Sequence, residues 1–298
     1  MLAMNTQTHE NPLTVWPTPA VTPSLSLAQN AAPDPSAPAQ DALPILNLAT
    51  YRFVAIDDLD VTRDWVRTRC EQFGIKGTIL LAAEGVNLFV AGQGDSVRAW
   101  LAEMDTDARF AHLGAKESWS KTVPYRKLVV KVRKEIIRMD QPGIVQQHGR
   151  APAVDAATLK RWLDAGVDDA GKPVVMLDTR NQFEVDMGTF DGAVSWNIAR
   201  FSEFPAATDA HALDLDNKTV VSFCTGGIRC EKAAIYLRHA GVDAYQLEGG
   251  ILKYFETQQS AHYTGHCFVF DDRALVDGAL QQVGDYPPDT QFNPKKYQ

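Results

Sequence analysis

The sequence predicts an α/β chain of two domains, and three observations carry that expectation. Its 298 residues suffice for about two domains on the usual ~150-residue prior. Composition, at 45% hydrophobic and 22% charged, is that of a globular protein able to bury a core. The apolar pattern changes character near residue 140, from strands mixed with amphipathic helices to short continuous strands separated by helices.

Taken in order, residues 1–43 are rich in Pro, Ala, Ser and Thr, with Pro17, Pro19, Pro23, Pro33, Pro35 and Pro38 interrupting any regular pattern. Such a segment buries too little apolar surface to offset chain entropy and is expected to be a disordered extension without chemistry. A first domain is expected over 44–139. Ile45 to Ile56 reads as a strand, and Leu59, Val66, Cys70 and Phe73 mark a helix that stops at Gly74. Thr78 to Ala82 and Asn87 to Val90 read as a hairpin, followed by a helix that buries Val97, Trp100, Leu101 and Met104. Lys127 to Ile137 reads as the last strand. This βαββαβ order predicts a ferredoxin-like α+β domain with an antiparallel sheet.

A turn-rich linker over 140–151 leads to a second domain over 152–264. Val174 to Leu177, Val220 to Phe223 and Val242 to Leu247 have the continuous apolar character of parallel strands buried on both faces. Helices are expected at Leu159 to Leu163, Cys230 to Ala240 and Ile251 to Gln259. Residues 265–298 read as an irregular tail.

Several functional classes are disfavoured. No apolar run approaches the ~18–20 residues that span a bilayer, so a soluble protein without a membrane partner is expected. No Lys or Arg precedes Arg52, which removes the basic region of a secretory or organellar leader. Four scattered cysteines, Cys70, Cys224, Cys230 and Cys267, do not form a disulfide scaffold. Cytoplasmic location is therefore expected. The net charge of −8 argues against indiscriminate binding of nucleic acid, and DNA is not an expected partner.

The strongest chemical signal runs from Thr219 to Ala234. A buried strand delivers Cys224 to its carboxyl end, the loop Thr225, Gly226 and Gly227 follows, and a helix begins around Ile228. Loop N–H groups and a helix amino terminus make a positive pocket. Such a pocket lowers a thiol from about 8.5 towards ~3.5–7.5, supplying thiolate at neutral pH. Arg229 at the helix start opposes the dipole, which favours a role beside the thiol or an anionic substrate. Cys230 shares a helix face with Ala233, Ala234 and Leu237, so a core role outweighs resolution of an oxidised Cys224. Asp178 and Arg180, at the neighbouring strand end, are expected to brace the loop as a charge-assisted pair, while Glu184 has a weaker claim. Only Thr225, Gly226, Gly227 and Ile228 separate Cys224 from Arg229. Cysteine phosphatases use a longer loop to encircle phosphate; this smaller ring suits a sulfur-sized group.

The Cys224-to-Arg229 loop, Leu177-Asp178-Thr179-Arg180, Phe190-Asp191-Gly192-Ala193 and Leu247-Glu248-Gly249-Gly250-Ile251 resemble a rhodanese domain, whose catalytic cysteine carries a persulfide. The string from Cys224 to Ala233, with Ala83-Glu84-Gly85-Val86-Asn87 before it and Phe268-Val269-Phe270-Asp271 after it, resembles the tRNA uridine(34) hydroxylase family. The resemblance covers roughly residues 45–275. It implies an oxidoreductase of monooxygenase type that uses dioxygen and an unidentified reductant to 5-hydroxylate a wobble uridine, with Cys224 catalytic and tRNA as partner. Many members continue into a cysteine-rich carboxyl-terminal segment, where this chain carries only Cys267.

The segment from Lys116 to Arg138 holds eight basic residues against Glu117 and Glu135, a net +6 that leaves −14 on the remainder. Lys131 and Arg133 alternate with Val130 and Val132, which places them on one strand face, near Trp119 and Tyr125. Lys121, Arg126, Lys127, Lys131 and Arg133 are the candidate tRNA-binding residues, with a solvated sheet face as the alternative. Other motifs fail. Gly92-Gln-Gly94 lacks the third glycine and the βαβ context of a dinucleotide site. His262, His266 and Cys267 lack the cysteine pair that would complete a zinc set, and no metal site is expected. No flavin, haem or iron motif is present, so no cofactor is identified. Two alternatives stand beside the hydroxylase: a sulfurtransferase working through a Cys224 persulfide, and a non-catalytic tRNA-binding module.

Overall fold

The computed structural model describes residues 44–145 and 149–283. The disordered extension expected over 1–43 lies outside the described residues, as does the end of the tail from 284.

The first domain runs β1 (Ile45–Phe53), α1 (Leu59–Gln72), β2 (Lys76–Ala82), β3 (Gly85–Gln93), α2 (Gly94–Met104), β4 (Lys116–Ser120) and β5 (Leu128–Val132). Its sheet has the order β4-β1-β3-β2-β5. The first four strands pair antiparallel and enclose two helices in the βαββαβ order, as the ferredoxin-like expectation requires. The strand that closes this unit is β4, not the Lys127 to Ile137 run. That run is shorter, and as β5 it pairs parallel to β2 at the opposite edge. The reason is chemical: β4 reads Lys-Glu-Ser-Trp-Ser and turns Lys116 and Ser120 inward, so it has no apolar alternation to detect.

The sheet alternates between two apolar environments. Leu46, Leu48, Ile79, Leu81, Val86, Leu88, Val90 and Val130 face α1 and α2, where they meet Val66, Cys70, Val97, Trp100 and Met104. On the opposite face Ala49 and Phe89 pack against the second domain. Burial on both faces explains why β1 is buried over its first six residues instead of alternating. Ala83 and Glu84 form the tip of the β2–β3 hairpin, after which Gly85 has φ +145°. A Cβ on Gly85 would lie 2.0 Å from the Arg52 carbonyl oxygen, so this position requires glycine.

The second domain runs β6 (Ala153–Val154), α3 (Ala156–Ala165), β7 (Val174–Asp178), α4 (Gln182–Val185), β8 (Gly188–Phe190), β9 (Val194–Ser195), α5 (Phe204–His211), β10 (Thr219–Phe223), α6 (Ile228–His239), β11 (Ala244–Leu247) and α7 (Gly250–Gln258). Its sheet, β6-β11-β10-β7-β9, is parallel throughout. Alternate residues of β10 serve opposite layers: Val221 and Phe223 pack with α3 and α7, and Val220 packs with α5 and α6. Asp155 caps α3 by accepting from the Ala157 and Thr158 N–H groups, and Gly166 ends it in the left-handed conformation.

Residues 265–283 do not behave as an irregular tail. After β12 (Tyr263–Gly265), β13 (Cys267–Phe268) and β14 (Leu275–Val276) form a short antiparallel pair, with Cys267, Phe268, Val269, Leu275 and Val276 buried. Asp271 holds Arg273 at 2.7 Å, Tyr125 donates to Asp271, and Arg273 donates to Ser118. The segment is thereby fastened to the first domain. Its ordering depends on side chains contributed by distant residues, which local periodicity does not register.

A cluster of charges joins the two domains. Lys232 of α6 is fully buried and bonds Glu84 and Glu135, each at 2.8 Å, and the Ile137 carbonyl at 3.1 Å. Beside it, Glu231 accepts from Tyr51 and from Arg150. Among the described residues no helix is long and apolar enough to cross a membrane.

Candidate active site

Cys224 follows β10 directly, at the carboxyl end of a central strand of the parallel sheet, where open α/β sheets place their ligands. Hydrogen bonds to three successive backbone carbonyls shape the loop. Thr179 donates from both its N–H and its hydroxyl to the Phe223 carbonyl, and this fixes the strand end. The N–H groups of Ile251 and Leu252 bond the carbonyls of Cys224 and Thr225. Gly250 lets α7 come this close, since a Cβ there would lie 2.4 Å from the Cys224 carbonyl oxygen. Gly227, at φ +99°, turns the loop into α6 and points its N–H at the Cys224 sulfur, 3.2 Å away.

Burial opposes charge on Cys224 and would raise its titration point. The Cys230 thiol, the Arg229 guanidinium and the N–H groups of Cys230 and Gly227 outweigh that penalty, and the thiol is held well below its ordinary value. Cys230 lies 3.9 Å from Cys224, sulfur to sulfur, and burial pushes it in the opposite direction, so it keeps its proton. The expected core role of Cys230 is thus joined by an electrostatic one.

Arg229 is buried and makes two contacts to Glu184, at 2.5 and 2.8 Å. Burial disfavours the guanidinium charge, but Glu184 more than restores it. The Phe270 ring lies 5.7 Å from the guanidinium. Thr225 donates to the Phe268 carbonyl at 3.3 Å, so the carboxyl-terminal segment closes one side of the loop. The bracing expected of Asp178 and Arg180 goes elsewhere. They pair with each other and bond Thr189 and the Gly188 carbonyl, which stabilises β8 beside the site. Glu184, given little weight from sequence, is the residue that positions Arg229. Its signal was only a carboxylate three residues after Asn181 in a short helix.

A cavity of about 440 Å³ lies over Cys224, between the two domains. Thr225, Gly226, Ile228, Arg229 and Phe270 contribute one wall, and Leu80, Phe89 and Val129 of the first sheet contribute the other. Lys131, Arg133, Arg138 and Arg200 line it as well. Lys131 and Arg133 therefore belong to the face that looks toward the thiol. Lys121, Arg126 and Lys127 are exposed but stand outside this cavity. Lys116, counted with the basic run, is buried. Among the described residues no group of three or more His, Cys, Asp or Glu could hold a metal ion. His262 instead bonds Asp164 at 2.7 Å.

Iodoacetamide is expected to label Cys224 first in the folded protein. The rate should titrate with a midpoint well under the ~8.5 of a free thiol, falling as pH drops and the thiolate is protonated. Cys230→Ala removes a donor and raises that midpoint. Peptide mass spectrometry checks this; equal labelling of Cys70 and Cys267, which burial pushes up to about 12, would contradict it.

Residues 45–136 match the family model described as a UPF0176 acylphosphatase-like domain, and residues 155–257 match that of a rhodanese-like domain. A protein of Variovorax paradoxus strain S110 named tRNA uridine(34) hydroxylase is 60% identical over 233 residues, which cover 78% of this chain and 89% of that one. Proteins of the same name from Bordetella petrii and Cupriavidus taiwanensis are 57% and 55% identical over 241 residues; these cover 80% of this chain and 96% and 86% of theirs. With more than half of the aligned positions shared along most of each relative, the chain belongs to the tRNA uridine(34) hydroxylase family.

Proposed function

We propose that this protein hydroxylates C5 of uridine 34 in tRNA, with Cys224 as the reactive group at the floor of the interdomain cavity. The observation that carries this reading is the thiolate set into a cavity whose opposite wall bears cations, in a chain of the tRNA uridine(34) hydroxylase family. The cavity exceeds the ~300 Å³ lower bound of small-ligand sites, enough for one nucleobase. Phe89 and Phe270 offer apolar surface to a flipped base, and Lys131, Arg133, Arg138 and Arg200 offer counter-charge to the flanking phosphates.

Hydroxylation replaces the C5 hydrogen with hydroxyl. With dioxygen as the oxygen source, one atom enters the base and the other leaves as water, which requires two electrons and two protons from a reductant. Dioxygen and reductant are then substrates of the reaction. Cytoplasmic tRNA is the substrate pool, and the protein acts there.

The direct test is nucleoside analysis of tRNA from a deletion strain complemented with wild type or Cys224→Ser. Wild type should restore 5-hydroxyuridine derivatives at the wobble position, and Cys224→Ser should not. Full restoration by Cys224→Ser would overturn the assignment. A small loop sized for one sulfur atom also favours a persulfide-carrying sulfurtransferase; loss of a thiolated nucleoside with 5-hydroxyuridine intact would select that reading.

The cationic wall has its own test. Lys131→Glu combined with Arg133→Glu should weaken tRNA binding by about tenfold or more and flatten its salt dependence by roughly two phosphate contacts. Unchanged affinity and salt slope would remove these residues from the interface.

A further inference from the structure

Lys116 enters the active-site loop from the other domain. It stands in β4 opposite Ala49 of β1 and is only 7% exposed. Its ammonium donates to the Gly226 carbonyl at 2.9 Å and lies 5.0 Å from the centre of the Tyr51 ring. Among the described residues no carboxylate pairs with it. A buried ammonium without a carboxylate partner is costly, so the nearest negative group has to compensate it.

The Gly226 carbonyl and the Gly227 N–H belong to one peptide group, which is trans. In a trans peptide these two bonds point in opposite directions. Here the carbonyl accepts a hydrogen bond from the Lys116 ammonium and the N–H donates to the Cys224 sulfur at 3.2 Å. A cation bonded to the oxygen of a peptide polarises it and strengthens its N–H as a donor.

We propose that Lys116 is a positioning residue for Cys224, acting through the Gly226–Gly227 peptide to orient and polarise the N–H that holds the thiolate. The first domain then contributes to the nucleophile itself, in addition to forming a cavity wall. The inference deepens the reading of Cys224 as the reactive thiol. Burial draws the Lys116 ammonium down to about 8, and Cys224 leads the neighbours that favour its charge. Other groups facing the pair are Arg229 and Cys230 of α6, Tyr51 of β1, and Lys253 and Glu256 of α7. Glu184 and Glu231 stand behind Arg229 and Tyr51. All of them remain in the variants below.

The experiment measures the pH dependence of Cys224 alkylation by iodoacetamide in full-length protein, without turnover, so its outcome is independent of the hydroxylation reaction. Lys116→Met should raise the midpoint by about one pH unit. At a pH below both midpoints, that means roughly tenfold slower alkylation. In steady-state hydroxylation kcat should fall while KM for tRNA stays within about twofold, a split expected when an interaction with the reacting group is lost. Lys116→Arg should keep the wild-type midpoint. If Lys116→Met does not fold, Lys116→Gln, which can bond the carbonyl without charge, should show the same upward direction. A midpoint unmoved in the folded neutral variant, or moved equally by Lys116→Arg, overturns the proposal.

Discussion

The ammonium of Lys232, enclosed between Glu84 and Glu135, is the contact on which the architecture of the site depends. It stands one turn into the helix that follows the Cys224 loop, and both its carboxylate partners come from the first domain or the segment leaving it. Such clusters add little net stability, because desolvating three charges offsets most of their attraction. What they impose is register. A displaced domain would leave a buried ammonium facing carbon, while the apolar cluster that Ala49 and Phe89 share with the second domain tolerates small slips. Glu135 also accepts the N–H groups of Met139 and Asp140, and Glu84 accepts that of Ile136. The same carboxylates that meet Lys232 thus fold the chain that leaves β5 toward the second domain.

The chemistry depends on this docking because the thiolate is a minority outcome in a buried position. Burial pushes every cysteine upward, and Cys70 and Cys267 follow that rule. Cys224 departs from it because donors converge on its sulfur while Glu184 keeps Arg229 charged beside it. The first domain, the rhodanese-like domain and the carboxyl-terminal segment each supply part of the surroundings: Lys116 behind the loop, Arg229 beside the sulfur, and Phe270 against the Arg229 guanidinium.

The two-domain organisation, the parallel sheet and the position of Cys224 were legible in the sequence, because each is written in local patterns: continuous apolar strands, Gly-rich turns and a strand–loop–helix junction. The features missed are products of long-range pairing. β4 is polar because its inward residues make specific bonds, so hydrophobic period said nothing about it. Lys116 belongs to the basic run by proximity in sequence alone, whereas the fold takes it inside and leaves Lys131 and Arg133 on the cavity. Glu184 and Phe270 gained their roles only when their elements met α6. The Ala83-to-Asn87 and Cys224-to-Ala233 strings lie about 140 residues apart in the chain and both carry the family resemblance. Glu84 and Lys232, one from each, bond each other across the interface, and this contact gives both strings a physical reason.

Held in register by Lys232, the two domains are expected to unfold as one cooperative structure. Equilibrium urea unfolding of the full-length Lys232→Met variant measures this coupling. Two buried carboxylates would lose their counter-charge, and stability should fall by about 3–5 kcal/mol relative to wild type. A loss under about 1 kcal/mol, with the unfolding transition unchanged in form, would contradict it.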